Sequence, residues 1–328
     1  MNILKFIKKR EFWDTIGNYI YYILSLFCYL FFEFWFELGK KSDLNPVLSY
    51  FIPYNFIYSF NRGIINKNLI VTSNNLTSDI KINNEIIKLI SLGDTSKELD
   101  DFVYSQIEDN YLLHLGDYCY LNREIPFQNL MNRNKVIFVP GCREVIPYAN
   151  TKWQEIYQKL VKYNYYHKRI FNSKGVNILD LFIITNYLFP GSKSYYDQID
   201  WLTNSINNSN ATFKVICCHN PPYSASRHGN DYIIQSIIRQ SEIKDKIDLV
   251  LSGHDHTYQH FKIDNLDYVV CGLGGHSKYK FMKDNKNLLK FYNQEYGILK
   301  LTLSKNILEI KFKNILNQEI DSFEINSK

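Results

Sequence analysis

Four apolar runs in this chain end in glycine, and the residue after each glycine carries a side chain that can meet a cation or an anion. Ile86–Leu92 runs into Gly93-Asp94, Tyr111–Leu115 into Gly116-Asp117, Val136–Pro140 into Gly141-Cys142, and Ile247–Leu251 through Ser252 into Gly253-His254. Each run has the length and apolar content of a buried strand, and glycine lets the backbone turn sharply where the strand stops. In sheets layered with helices, ligands collect outside the carboxyl ends of the strands. The tips are therefore expected to converge on one edge and build one site.

The last tip, Gly253-His254-Asp255-His256, delivers two imidazoles on one turn, and neutral imidazole is the commonest metal ligand. Another strand, Phe213–Cys218, delivers His219 ahead of the rigid turn Asn220-Pro221-Pro222-Tyr223. In chain order the tips offer Asp94, Asp117 with Tyr120, Cys142-Arg143-Glu144, His219, His254 and His256. Carboxylate oxygens, a phenolate and imidazole nitrogens suit a di- or trivalent first-row metal. Asp117 is a candidate bridge, because a carboxylate shared by two ions about 3.5–4 Å apart serves in-line displacement at phosphorus. Taken singly, Tyr120 in a chain with 26 tyrosines reads as core, and Cys142 as a small buried residue. His114 and His260 read as structural, His276 as a loop histidine, and Asp255 as a residue that orients its loop.

Between the tips, helical spacing predicts helices over Glu98–Glu108, Trp153–Tyr163, Tyr195–Leu202 and Asp231–Glu242. Further strands are expected at Leu69–Val71 and Asn177–Thr185. The terminal runs Tyr268–Cys271, Gly297–Leu303, Ile307–Phe312 and a short strand near Phe323 read as a second sheet packed on the first. The net charge of +5 is spread without a basic block, so no nucleic-acid partner is expected. Six cysteines form neither a CxxC pair nor a disulfide framework.

The N-terminal part differs from the rest. No charged residue occurs from Thr15 to Phe32, and the apolar run continues through Phe34-Trp35-Phe36 with Glu33 interrupting. A bilayer-spanning helix needs about 20 such residues, so a membrane helix over about 15–36 is expected, uncleaved because no small-residue cleavage site follows. Lys5, Lys8, Lys9 and Arg10 precede it while Lys40 and Lys41 follow, which places the N-terminus in the cytosol and the bulk of the chain lumenal or extracellular. The expected organisation is a tail and single-pass anchor over 1–44, a connector with a lead-in strand over 45–85, and a folded domain over 86–328.

Gly93-Asp94, Gly116-Asp117-Tyr118-Cys119-Tyr120, Cys218-His219-Asn220-Pro221-Pro222-Tyr223-Ser224 and Gly253-His254-Asp255-His256 resemble the motif series of the calcineurin-like metallophosphoesterases, and within them the purple acid phosphatases. The likeness extends to the Tyr-Tyr-x-Gln-x-x-Trp-Leu helix, to Arg227-His228-Gly229 and to Gly272–His276, and covers about 86–325. It implies an α/β or α+β fold in four layers, two packed mixed sheets flanked by helices. It also implies hydrolysis of phosphate monoesters at two metal ions. The first, iron in the family, would be held by Asp94, Asp117, Tyr120 and His256. The second, zinc, manganese or iron, would be held by Asp117, His219, His254 and a third-motif side chain. His228 corresponds to an outer contact with substrate.

The third motif departs from the family. Where Gly-Asn-His-Asp/Glu is expected, the chain has Gly141-Cys142-Arg143-Glu144. Cys142 then stands for the second-site asparagine and Arg143 for the histidine that contacts the phosphoryl group. In an enzyme, a Cys142 thiolate would favour zinc at that site, and Arg143 would bind phosphate bidentately without serving as a general acid. Alternatively the second metal is lost and the fold persists as a membrane-anchored scaffold for a protein partner, as the family's phosphatase-like anchors of the apicomplexan gliding machinery suggest.

Overall fold

The computed structural model describes residues 77–96, 99–107, 111–118, 135–145, 165–188 and 193–328. The expected membrane helix at 15–36, the strand Leu69–Val71 and the helix Trp153–Tyr163 lie outside them. Among the described residues no helix is long and apolar enough to cross a membrane.

The chain forms β1 (Thr77–Lys81), β2 (Ile87–Leu92), α1 (Asp100–Ile107), β3 (Tyr111–His114), β4 (Val136–Phe138) and the short α2 (Cys142–Val145). Next come β5 (Tyr166–Phe171), β6 (Asn177–Ile183), α3 (Lys193–Asn207), β7 (Phe213–Cys217), α4 (Tyr232–Gln240) and β8 (Leu249–Ser252). The rest is strand: β9 (Tyr258–Ile263), β10 (Leu266–Cys271), β11 (Leu288–Tyr292), β12 (Gly297–Leu303), β13 (Ile307–Asn314) and β14 (Glu319–Asn326).

Two mixed sheets result, an eight-stranded one ordered β1-β5-β6-β7-β8-β10-β9-β11 and a six-stranded one ordered β14-β13-β12-β2-β3-β4. The division differs from the sequence expectation of a C-terminal second sheet. Tyr268–Cys271 belongs to β10, which runs parallel to β8 in the eight-stranded sheet. β12 to β14 instead complete the sheet begun by β2, because β12 pairs antiparallel with β2. Periodicity marks each strand but carries no record of its neighbours.

Side-chain alternation accounts for the layering. Phe213, Val215 and Cys217 of β7, with Leu249 and Leu251 of β8, join one core together with Leu89, Leu113 and Ile137 of β2 to β4 and Leu299 and Ile310 of β12 and β13. The intervening residues Ile216 and Val250 face a second core with Leu202 and Ile206 of α3 and Ile234 and Ile237 of α4. Sheet thus packs on sheet, with α3 and α4 over the far side of the larger sheet, while α1 lies against β2. Gln198 of α3 fastens the helix to the end of β6 by accepting from Thr185 N at 2.9 Å and donating to Thr185 O at 2.9 Å. Asp231 caps α4 by accepting from Ile233 N and Ile234 N, each at 2.9 Å.

His260, on β9, joins the two sheets. Its Nδ1 lies 3.0 Å from Asp321 Oδ2 of β14 and its Nε2 lies 2.9 Å from Asp267 Oδ1 of β10. Burial opposes charge on this ring, but the hydrogen bonds to Asp267 and Asp321 overcome it and raise its pKa. A group raised on folding stabilises fully below its unfolded pKa, about 6.5, and the stabilisation is lost as pH rises through the folded value. The urea midpoint is therefore expected to fall above about pH 6.5. His260→Asn should weaken that dependence and cost roughly 1.5–3 kcal/mol at lower pH; an unchanged pH profile in the variant would show that His260 carries none of it.

Candidate metal centre

The carboxyl ends of β2, β3 and β4 meet those of β7 and β8 at one edge of the sandwich, so the expected site draws on both sheets. Asp94, Asp117 and His254 all adopt left-handed backbone, with φ of 60°, 53° and 67°. Each is the first residue past its glycine, and the reversal turns its side chain back over the strand ends. Gly116, itself at φ 90°, leaves room for this: a Cβ there would stand 2.5 Å from His219 Nδ1 and 2.7 Å from Gly141 Cα. Any side chain would push two tips apart.

Asp117 is the junction. Its Oδ2 accepts from the Cys142 thiol at 2.8 Å and its Oδ1 from Arg143 N at 2.7 Å. Arg143 Nε lies 3.8 Å from Oδ2, and His219 Nε2 lies 3.3 Å from Oδ1. Burial works against a charged Asp117, but His219, then Arg143 and the Cys142 thiol, hold its carboxyl well below the usual range. The same pairing raises His219 against the effect of its own burial.

The histidines are held by their far nitrogens. His219 Nδ1 sits 2.7 Å from Leu115 O, and His256 Nδ1 sits 2.9 Å from Ser277 O. A carbonyl can only accept, so both rings carry the proton on Nδ1 and turn Nε2 inward. His219 Nε2 then lies 3.2 Å from His254 Nδ1, and His256 Nε2 lies 3.4 Å from Asp94 Oδ1. His254 N donates to Asp94 Oδ2 at 2.6 Å, tying the two motifs together.

Ring nitrogens and carboxylate oxygens gathered in this way fit a cation. Ligand atoms of Cys142, His219 and His254 lie within 4.8 Å of one another, as do those of Asp94, Asp117 and His219, and all five residues are buried. Two imidazole nitrogens facing each other, one fixed from behind by a carbonyl, are what a metal between them would require.

Of the other expected residues, Tyr120 lies outside the described residues. His228 is brought in: its ring lies against that of His254, centroids 4.1 Å apart and tilted by 30°, and its amide donates to Asp255 Oδ1 at 3.1 Å. Asp255 takes the Ser224 hydroxyl on its other oxygen, so it braces the His loop, and burial pushes its pKa up to about 6. His276 approaches His256 at 5.2 Å. His114 accepts from Gly116 N at 3.2 Å and meets Thr95 Oγ1 at 3.0 Å, and burial, then the charge on His219, takes its pKa down to about 3. It is a neutral strut behind the Asp117 turn.

Three supporting roles are not apparent from the motifs alone. Ser277 orients His256, Tyr279 stacks on it at 4.1 Å and 10°, and Glu144 secures the turns. Glu144 accepts from Asp117 N at 2.9 Å, Tyr118 N at 2.8 Å and Gly141 N at 2.8 Å. Its motif position is visible in sequence, but its partners require two tips to be neighbours. Glu144→Ala leaves three buried amides without this acceptor and should cost at least about 3 kcal/mol in urea unfolding. A loss under about 1 kcal/mol would mean that Glu144 does not hold these turns.

Comparison with known proteins agrees with this geometry. Residues 77–258, more than half of the chain, match the family model of the calcineurin-like phosphoesterases. Purple acid phosphatase 4 of Arabidopsis thaliana is 25% identical over 138 residues, 40% of this chain and 40% of that protein. Purple acid phosphatase 21 of the same plant is 27% identical over 143 residues, 39% of this chain and 32% of that one. The alignments thus span well under two thirds of these relatives. Among solved structures, GAP50, the anchor in the inner membrane complex of Plasmodium, superposes with a TM-score of 0.56 at 18% identity, covering 74% of this chain and 89% of that one. Purple acid phosphatase PPD1 from yellow lupin (Lupinus luteus) seeds also gives 0.56, at 15% identity, covering 74% and 54%. With its family model matched across the strand tips and the His loop, the chain belongs to the calcineurin-like phosphoesterases and counts purple acid phosphatases among its relatives.

Proposed function

We propose that this protein is a membrane-anchored, metal-dependent phosphatase acting on phosphate monoesters. The observation that carries the reading is the gathering of Asp94, Asp117, Cys142, His219 and His254 in two adjoining buried clusters that share His219, with His256 Nε2 3.4 Å from Asp94 Oδ1 and with His219 and His256 oriented by carbonyls behind them. Asp94, Asp117 and His256, with Tyr120, would hold one ion, and Asp117, Cys142, His219 and His254 a second. When bound, such ions supply Lewis acidity toward phosphoryl oxygen and water.

The chain's own residues supply the remainder. Asp117 stays ionised and so remains a ligand. The Arg143 side chain is 31% exposed at the mouth of the site, where a planar guanidinium can receive a phosphoryl dianion. It cannot give up a proton near neutrality. His228, whose ring centroid lies 4.1 Å from that of His254, is the imidazole we assign to protonating the leaving oxygen. The apolar segment at 15–36 would anchor the chain, with the phosphatase domain lumenal or extracellular.

A second reading is a non-catalytic anchor, favoured by Arg143 itself. Its fixed positive charge beside Asp117 opposes the accumulation of two cations at the same carboxylate. Metal content separates the readings. Elemental mass spectrometry of protein purified without chelator should give two ions per chain, together with hydrolysis of p-nitrophenyl phosphate. One ion or none, without turnover, would favour the anchor.

His254→Ala and His256→Ala should each lower kcat by more than about a hundredfold; full activity in both would refute the site. His228→Ala should reduce kcat by about 10²–10⁴ with KM little changed. Cys142→Asn should keep or raise turnover and move the metal preference away from zinc. No change in either quantity would make Cys142 a bystander.

A further inference from the structure

Beside the candidate centre, the segment between β10 and β11 has a base and a tip of opposite character. The backbone is tied down, from Ser277 through Met282. Ser277 and Tyr279 hold His256, Ser226 Oγ donates to Lys280 O at 2.9 Å, Met282 N donates to Ala225 O at 2.9 Å, and Asn293 Nδ2 donates to Tyr279 O at 2.8 Å. The tip carries apolar side chains in water: Phe281 is 45% exposed, Met282 46%, and Leu289 of β11 58%. Phe281 stands edge-on against Phe291 of the same strand with ring centroids 5.1 Å apart. Lys280, Lys283, Lys286 and Lys290 are exposed among them, and Asp284 is the sole acidic residue between Ser277 and Tyr292. β11 is also the outer strand of the eight-stranded sheet.

We propose that this Phe281-Met282 tip, with its surrounding lysines, docks on an anionic lipid surface and turns the mouth of the candidate centre toward the bilayer. Charge complementarity favours lipid as the occupant. Several ammonium groups with almost no carboxylate match a plane of phosphates and carboxylates, where each lysine improves partitioning roughly fivefold. Three apolar side chains are too few for the core of a stable protein interface, which engages about 20–30 residues a side. They suffice to enter the headgroup layer once lysines bring them there, and the lysine stems can lie along it with their charges in water. The fixed base keeps the approach rigid, so docking at the tip sets the direction of His256. The inference does not depend on whether the centre holds metal or turns over substrate.

The test uses the full chain in lipid nanodiscs made of phosphatidylcholine alone or with phosphatidylserine added to both leaflets, so that the leaflet facing the domain is anionic whichever way the chain inserts. Amide hydrogen exchange across 280–291 should slow roughly tenfold with phosphatidylserine, recover at raised salt, and show no slowing in the Lys280→Ser, Lys283→Ser, Lys290→Ser triple variant. Phe281→Trp should shift its emission to the blue on the anionic discs only. Equal exchange on both lipids, together with an unshifted emission, would overturn the proposal. So would slowing by polyglutamate and not by phosphatidylserine, which would make the occupant an acidic protein. All substitutions lie on exposed side chains, and an unchanged urea midpoint would show that the variants remain folded.

Discussion

A single carboxylate organises the edge of this fold. Asp117 can meet groups from the third motif and from the neighbouring sheet because its backbone reverses at φ 53° as β3 ends. Its two oxygens receive the Cys142 thiol and the Arg143 amide, while Glu144 grips its amide from below. Buried charge is tolerated only where hydrogen bonds and opposite charges surround it. Here His219, Arg143, Cys142 and the packed strands meet that condition together. If the third-motif tip shifted, the carboxylate would lose the Cys142 thiol and both Arg143 contacts at once.

Much of this can be read from the chain because strand tips are conspicuous: an apolar run, a glycine and a polar residue. Asp94, Asp117, Cys142, Arg143, His219, His254 and His256 lie close together at those tips. Strand neighbours are not legible in this way. The order that puts β12 beside β2, and β10 beside β8, is set by packing between residues far apart in sequence. The same applies to helpers such as Leu115, which orients His219 with a backbone oxygen. A carbonyl has no sequence signature, so only folding reveals which one faces a ring.

The altered third motif is where chemistry and architecture separate. Glu144 accepts from three turn amides there, and the turns stand with Cys142 and Arg143 where the resemblance leads one to expect asparagine and histidine. Cys142 and Arg143 change what the site offers: a soft, ionisable donor in place of a neutral amide, and a permanent cation in place of an imidazole. A fold can therefore be retained while its catalytic repertoire is narrowed or redirected.

The position of β2 also affects the order of events during synthesis. This strand, which ends at Asp94, lies between β3 and β12, and the Asp94 carbonyl accepts from His276 N at 3.2 Å. A growing chain would therefore expose one side of β2 until Gly297–Leu303 had emerged from the ribosome, long after every candidate ligand had been made. Pairing across so wide a sequence separation forms late. If the centre takes up ions, as the proposed function requires, that loading would be a step for the finished polypeptide, and the ions available in the compartment it has by then reached would decide which metal it acquires.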